Sequence, residues 1–279
     1  MSERGQDIHL HDPQTLYEHW ERSQWSPFEL DLSRDRSDWA AMDARTRALV
    51  LFALSSLMVA EERITTQFTG LVMAHDSEEE ATFLATQQVD EARHMQHYAR
   101  VQNEVIGDPA AIAAHVERSR AHLSDAFHAI FDDKLAGAHE RLVASPRDRG
   151  AKVDFVTTYH LVIEGTLGLT SFHFITRVLE RLGVLPGFVA GYTLIHRDEQ
   201  RHIGYGIWYL REAVRADPAL RENVRRTVRE LLAPAAAALA PPGEIDPALA
   251  GASPEEIQEF ALTGLSRRMN IVGVPLSTL

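Results

Sequence analysis

Asp90-Glu91-Ala92-Arg93-His94 recurs as Asp198-Glu199-Gln200-Arg201-His202, and the reading of this repeat decides the fold. On a helix, residues three apart lie on one side. Each copy therefore aims a carboxylate and an imidazole at one point. Two such pairs, with one carboxylate from each of two further helices, are how a four-helix bundle holds two metal ions. The sequence offers those two acids at Glu61 and Glu164. The expectation is an all-α four-helix bundle around a dinuclear carboxylate centre.

The rest of the chain supplies the helices. Asp12-Pro13 opens a short helix to Arg22, with Pro at the first helical position. Trp25-Ser26-Pro27-Phe28 breaks it, and Glu29 to Asp38 reads as an irregular connection. The first long helix is predicted from about Asp43 to His75. Apolar residues are dense from Leu49 to Val59, as in a helix buried on several sides. Glu61 shares its face with Leu54, Leu57, Met58, Ile64 and Phe68, whereas Glu62 shares its face with Ser55 and several threonines. A carboxylate on an apolar stripe must be paired or bind metal, so Glu61 is the better ligand. Ser77 caps the second long helix, which ends near Ile106 at Gly107-Asp108-Pro109. The third runs from about Ala151 to Leu182, and the fourth from Phe188 to about Ala216. Between the second and third, Ser124 to Leu142 reads as one amphipathic helix. His115, His122, His128 and His139 read as surface residues. Helices from Leu220 to Leu239 and from Ser253 to about Asn270 follow, joined by a hinge at Pro241-Pro242-Gly243. Period-two alternation of strand type is almost absent.

Composition bounds the chemistry. The 279 residues carry a net charge of -12, with no basic patch of useful length. This argues against a nucleic-acid or anionic-membrane partner. There is no cysteine, which excludes iron–sulfur clusters and thiolate zinc, so a metal must be held by Asp, Glu and His. Six ligands, Glu61, Glu91, His94, Glu164, Glu199 and His202, suit iron or manganese better than zinc. A ligating imidazole commonly gives its other N–H to a carboxylate. Asp198 is the candidate for that role; Asp90 reads equally as such a partner or as a solvated surface acid. Met1 to His11 is polar with no signal-peptide pattern, and no apolar run approaches a membrane span. Cytoplasm is the expected location, and one domain over residues 1–279 the expected organisation, with the metal bundle at about 43–216 and C-terminal helices at 218–270.

Several stretches resemble a known group. They are Trp25-Ser26-Pro27, Glu61-Glu62, both Asp-Glu-x-Arg-His copies, Tyr159 to Leu167 and Gly183-Val184-Leu185-Pro186-Gly187. Together they look like the ferritin-like superfamily, and within it the class I ribonucleotide reductase small subunit and the ligand-binding oxidases related to it. That resemblance implies two metals, Mn/Fe or Fe/Fe, with O2 as co-substrate and an apolar small-molecule or fatty-acid-like ligand. A homodimer is also expected. In those oxidases a first-helix valine becomes joined to a third-helix tyrosine. The tyrosine falls on Tyr159 and the valine on Ile64, whose tertiary Cβ–H permits the same abstraction. Five residues turn roughly 140° on a straight α-helix, so Tyr159 and Glu164 share a site only if a distortion such as a π-bulge intervenes. Tyr98, four residues after His94, falls where radical-bearing reductase subunits place their tyrosine. Trp25 falls where those subunits have a tryptophan near the metal.

Three functions compete at this point. An oxidase would activate O2 for hydrogen abstraction from a bound ligand or from the protein. A reductase small subunit would generate a radical for another chain, but Gly273 to Leu279 lacks the acidic, aromatic-ended docking tail expected of one. An iron store would need no extra helices.

Overall fold

The computed structural model describes residues 8–108, 110, 112–120, 123–240 and 251–279, and among these there is no strand. The first elements are α1 (Pro13–Glu21), α2 (Ser33–Ala41), α3 (Ala44–Gln67), α4 (Thr69–Met73) and α5 (Glu78–Val101). A π-helix, Gln102–Ile106, extends α5 to Gly107, which is left-handed at φ 78°. Next come α6 (Ile112–Arg120) and a continuous helical run of α7 (Asp125–His128), a π-helix (Ala129–Leu135) and α8 (Ala136–Ala144). The third bundle rod is likewise continuous: α9 (Arg149–Val156), a π-helix (Thr157–Gly168) and α10 (Leu169–Leu182). Then follow α11 (Pro186–Ala216), α12 (Arg221–Ala238) and α13 (Pro254–Val272).

The starts of these helices are written locally. Asp12 accepts from Thr15 N, Asp43 from Arg45 N and Thr46 N, and Ser77 from Glu80 N. Each satisfies amides that the first turn leaves free. Ser253 and Glu256 cap α13 reciprocally, the S-x-x-E box. The bundle proper is α3, α5, the third rod and α11, around a core that includes Met58, Phe68, Phe83, Tyr159 and Tyr192.

Two expectations are corrected. The irregular connection expected at Glu29 to Asp38 turns helical at Ser33, where α2 begins. Its stretch is polar and lacks a strong apolar period, so its reason to be helical is tertiary. α11 begins after Leu185 with no capping side chain of its own. Asp35 of α2, fully buried, accepts from Gly187 N at 2.8 Å and Phe188 N at 2.6 Å, and Asp38 accepts from Leu185 N at 2.9 Å. The approach is close enough that a Cβ on Gly187 would lie 2.3 Å from Asp31 O. The second correction is His115, read as a surface residue but 2% exposed. α6 packs against α3, and its His115 meets Asn103 Oδ1 at 2.9 Å. His122 and the Pro241-Pro242-Gly243 hinge lie outside the described residues.

Candidate metal centre

α5 and α11 present the two Asp-Glu-x-Arg-His copies to each other, with Glu61 of α3 and Glu164 of the third rod on either side. Two overlapping groups result: Glu61, Glu91, His94 and Glu199; and Glu91, Glu164, Glu199 and His202. In each group the possible ligand atoms lie within 4.8 Å of one another. His94 Nδ1 is 3.2 Å from Glu91 Oε2, 3.5 Å from Glu199 Oε1 and 3.6 Å from Glu61 Oε1. His202 Nδ1 is 3.1 Å from Glu91 Oε1, 3.3 Å from Glu164 Oε1 and 4.0 Å from Glu199 Oε2. Glu91 and Glu199 thus each turn one oxygen to either histidine, as two shared carboxylates would. Glu62, the neighbour passed over, turns instead towards Arg63 at 3.6 Å.

The electrostatics of this cluster call for cations. All six residues are buried, none more than 6% exposed. Glu61 Oε2, Glu91 Oε2, Glu164 Oε2 and both histidine Nδ1 atoms have no hydrogen-bond partner. Orphaned polar atoms at this depth are costly unless something binds them. Burial pushes Glu61 up to about 8 and Glu164 up to about 7. Burial alone would lower both imidazoles, but the carboxylates facing them raise them well above the ordinary histidine value. Four carboxylates and two imidazoles therefore share protons where two divalent cations would neutralise them. Oxygen and imidazole donors of this kind fit iron or manganese.

The surrounding residues exchange partners between the two copies. His94 Nε2 faces Asp198 Oδ2 at 3.4 Å, and His202 Nε2 faces Asp90 Oδ2 at 3.2 Å. Each aspartate thus serves the histidine of the other copy. Trp25 Nε1 donates to Asp198 at 2.7 Å, and Trp20 Nε1 donates to Asp90 at 2.9 Å. Arg201 Nη2 bridges Asp198 Oδ1 at 2.6 Å and Asp90 Oδ2 at 3.0 Å, while Arg93 Nη1 binds Asp90 Oδ1 at 2.6 Å. Burial would raise Asp198, but His94, Arg201 and the Trp25 N–H hold its carboxyl well below the usual range. The reading of Asp90 as a solvated acid is corrected: it is fully buried. Trp20, Arg93 and Arg201 were missed at the level of sequence, although the repeat itself carried the signal for both arginines.

The third rod brings Tyr159 and Glu164 to one side through its π-helix, the distortion that their spacing demanded. Gln87 Nε2 donates to both Tyr159 OH at 3.1 Å and Glu164 Oε1 at 3.3 Å. The Tyr159 hydroxyl donates to Glu91 Oε1. His160 Nε2 meets Gln87 Oε1 at 3.2 Å. Ile64 is buried on α3 at 6% exposure; one turn on, the Phe68 ring lies 5.4 Å from that of Tyr159. Tyr98 is fully buried and its hydroxyl has no partner. Burial, then the charge of Glu61, raises that phenol well above its ordinary value.

The family model described as ribonucleotide reductase, small chain, matches residues 6–260. Among solved structures, the chain is similar to R2-like ligand-binding oxidase in several variants. A valine-to-isoleucine variant with aerobically reconstituted Mn/Fe cofactor is 24% identical, with 94% of each chain covered and a TM-score of 0.83. A tyrosine-to-phenylalanine variant with anaerobically reconstituted Mn/Fe cofactor is 24% identical, covering 94% of this chain and 93% of that one, with a TM-score of 0.81. These likenesses establish the fold. No helix among the described residues is long and apolar enough to cross a membrane.

Proposed function

The chain belongs to the ribonucleotide reductase small chain family, and from that premise we propose that it is a dimetal oxidase acting on a bound apolar ligand or on itself. The observation that carries this reading is the pair of overlapping four-residue groups sharing Glu91 and Glu199. Glu61, Glu91, His94 and Glu199 would hold one ion, and Glu91, Glu164, Glu199 and His202 the other. The bound pair, Mn/Fe as in the R2-like oxidases or Fe/Fe, would supply O2 activation for hydrogen abstraction.

The chain's own residues set the conditions for that chemistry. Asp198 and Asp90 fix the orientation of His94 and His202 through their outer nitrogens. Arg93 and Arg201 hold those aspartates in place. The burial of all six candidate ligands shields the cluster from bulk water. Gln87 and Glu91 hold the Tyr159 hydroxyl against the metal-facing carboxylates, so Glu91 is positioned to take its proton. An apolar cavity open to solvent, about 1030 Å³ of empty space, lies between α3 and α10. Leu54, Leu57, Ser171 and Phe188 are among its walls, which suits an apolar ligand beside the helix that carries Glu61.

Self-oxidation would join Tyr159 to Ile64. The tyrosine O–H and the isoleucine Cβ–H break, one O–C bond forms, and two protons and two electrons go to O2. Aerobic assembly with iron and manganese is expected to consume O2 and lower the intact mass by about two daltons, with metal the required catalyst. A digest should then contain the linked peptides. Unlinked peptides with no O2 consumption in a two-metal protein would overturn the oxidase reading. Family membership and the buried, unpartnered Tyr98 hydroxyl favour a second reading, a radical-generating reductase subunit. In that case a tyrosyl radical appears by electron paramagnetic resonance and vanishes in Tyr98→Phe.

A further inference from the structure

His160 follows Tyr159 on the π-helix of the third rod and is 1% exposed. Its Nε2 lies 3.2 Å from Gln87 Oε1, and its Nδ1 is buried with no hydrogen-bond partner. Aromatic rings surround the imidazole: Tyr159 at 4.4 Å, Tyr205 at 5.2 Å and Phe68 at 6.3 Å between centroids. The hydroxyls of the two tyrosines are committed elsewhere, Tyr159 to Glu91 and Tyr205 to Glu80. Gly206 of α11 makes the space, because a Cβ there would lie 2.2 Å from His160 Cβ.

These surroundings select one tautomer. A neutral imidazole carries one N–H and one bare nitrogen. Burial, and then the nearby His202, hold His160 neutral, well below the ordinary histidine value. An N–H on Nδ1 would be buried without an acceptor, which is costly. The proton therefore sits on Nε2 and is donated to Gln87 Oε1. That contact fixes which way the Gln87 amide faces. Its NH2 group is turned to Tyr159 OH at 3.1 Å and to Glu164 Oε1 at 3.3 Å. An amide NH2 only donates, so the Tyr159 O–H cannot point at Gln87, and it points at Glu91 Oε1. With the other tautomer the amide would reverse. Its carbonyl would then compete with Glu91 for the phenol proton and stand against the Glu164 carboxylate.

We propose that His160 is a positioning residue for the oxidation of Tyr159: through Gln87 it directs the phenol proton to Glu91. The role rests on the oxidase reading for the reaction it serves; the chain of hydrogen bonds needs no metal. When the Tyr159 O–H bond breaks, its proton passes to Glu91 Oε1 and its electron to O2, the oxidant of that reaction.

Two kinds of measurement on the full-length protein separate the chain from the reaction. The first is made without metal. Proton–nitrogen correlation spectra at neutral pH are expected to show His160 protonated on Nε2 alone, its signal assigned by its loss in His160→Met. A proton on Nδ1, or on both nitrogens, would overturn the proposal. Ultraviolet resonance Raman, as a difference from Tyr159→Phe, reads whether the Tyr159 phenol donates. It should donate in the wild type, lose that character in His160→Met, and regain it in His160→Gln, which restores a donor at similar reach. The second is aerobic assembly with manganese and iron at equal metal content. Cross-linking should be about ten-fold slower in His160→Met and within about three-fold of wild type in His160→Gln. An unchanged rate in His160→Met, or no recovery in His160→Gln, would overturn the role. The wild-type tautomer decides even if the variants fail to fold. A wild type that holds two metals and shows the Nε2 tautomer, yet forms no cross-link, refutes the oxidase and leaves His160 as the residue that aims the Tyr159 proton.

Discussion

At the scale of single residues, the repeat forms a reciprocal arrangement. Each copy supplies a metal-facing Glu and His, and lends its Asp to the His of the other copy. Asp90 is then as consequential as Asp198. Replacing either by Ala is expected to weaken metal binding about 10–100-fold with the fold retained; competitive metal titration alongside circular dichroism checks this. Affinity equal to wild type in Asp90→Ala would return it to a merely buried acid. The shared carboxylates make a second distinction. Glu61 belongs to one group only, whereas Glu91 belongs to both. Glu61→Ala should leave about one metal per chain and Glu91→Ala close to none, read by elemental analysis. The ligand candidates were legible because a helix converts spacing into direction, and because an acid on an apolar stripe stands out. Trp20 was not, and Trp25 was found only through the resemblance. Trp20 and Trp25 reach Asp90 and Asp198 from a separate, short segment, and no helical period connects them.

At the scale of elements, the third rod shows what spacing alone can and cannot tell. Its length and its Gly183 stop follow from local signals, and Tyr159 with Glu164 signals a distortion between them. The twelve-residue extent of the π-helix does not follow. It depends on contacts such as Thr166 Oγ1 with Leu161 O, five residues back, at 2.9 Å. Gly165 tests this register. In a regular α-helix, Gly→Ala stabilises by about 1 kcal/mol. Here a Cβ would lie 2.7 Å from His160 O, so Gly165→Ala is expected to destabilise by about 1–3 kcal/mol, seen as a lower Tm. A raised Tm would mean that the segment is an ordinary α-helix. α2 is the opposite case. Its helicity serves the amides of α11, a purpose invisible in a polar nine-residue stretch.

At the scale of the molecule, the fold spends its interior on a cluster of like charges. Four carboxylates converge where an ordinary bundle has apolar packing, so metal binding and folding are coupled. Metal at about one hundred times its Kd should stabilise the native state by about 2.7 kcal/mol, and a chelator should lower Tm accordingly. A Tm indifferent to both would detach the cluster from metal. The all-α architecture was readable from helix periods and caps, while the placing of α12 and α13 over the third rod was not. Asp154, for example, meets Arg226 at 2.7 Å and Asn223 at 3.0 Å across more than sixty residues, a pairing no local pattern announces. The central claim is that this interior holds two metal ions between Glu91 and Glu199. Crystals of protein assembled with manganese and iron, measured across both absorption edges, address it directly. The account expects two anomalous peaks, one flanked by Glu61 and His94 and the other by Glu164 and His202. A fully metal-supplied crystal with no peak between the two shared glutamates would contradict it.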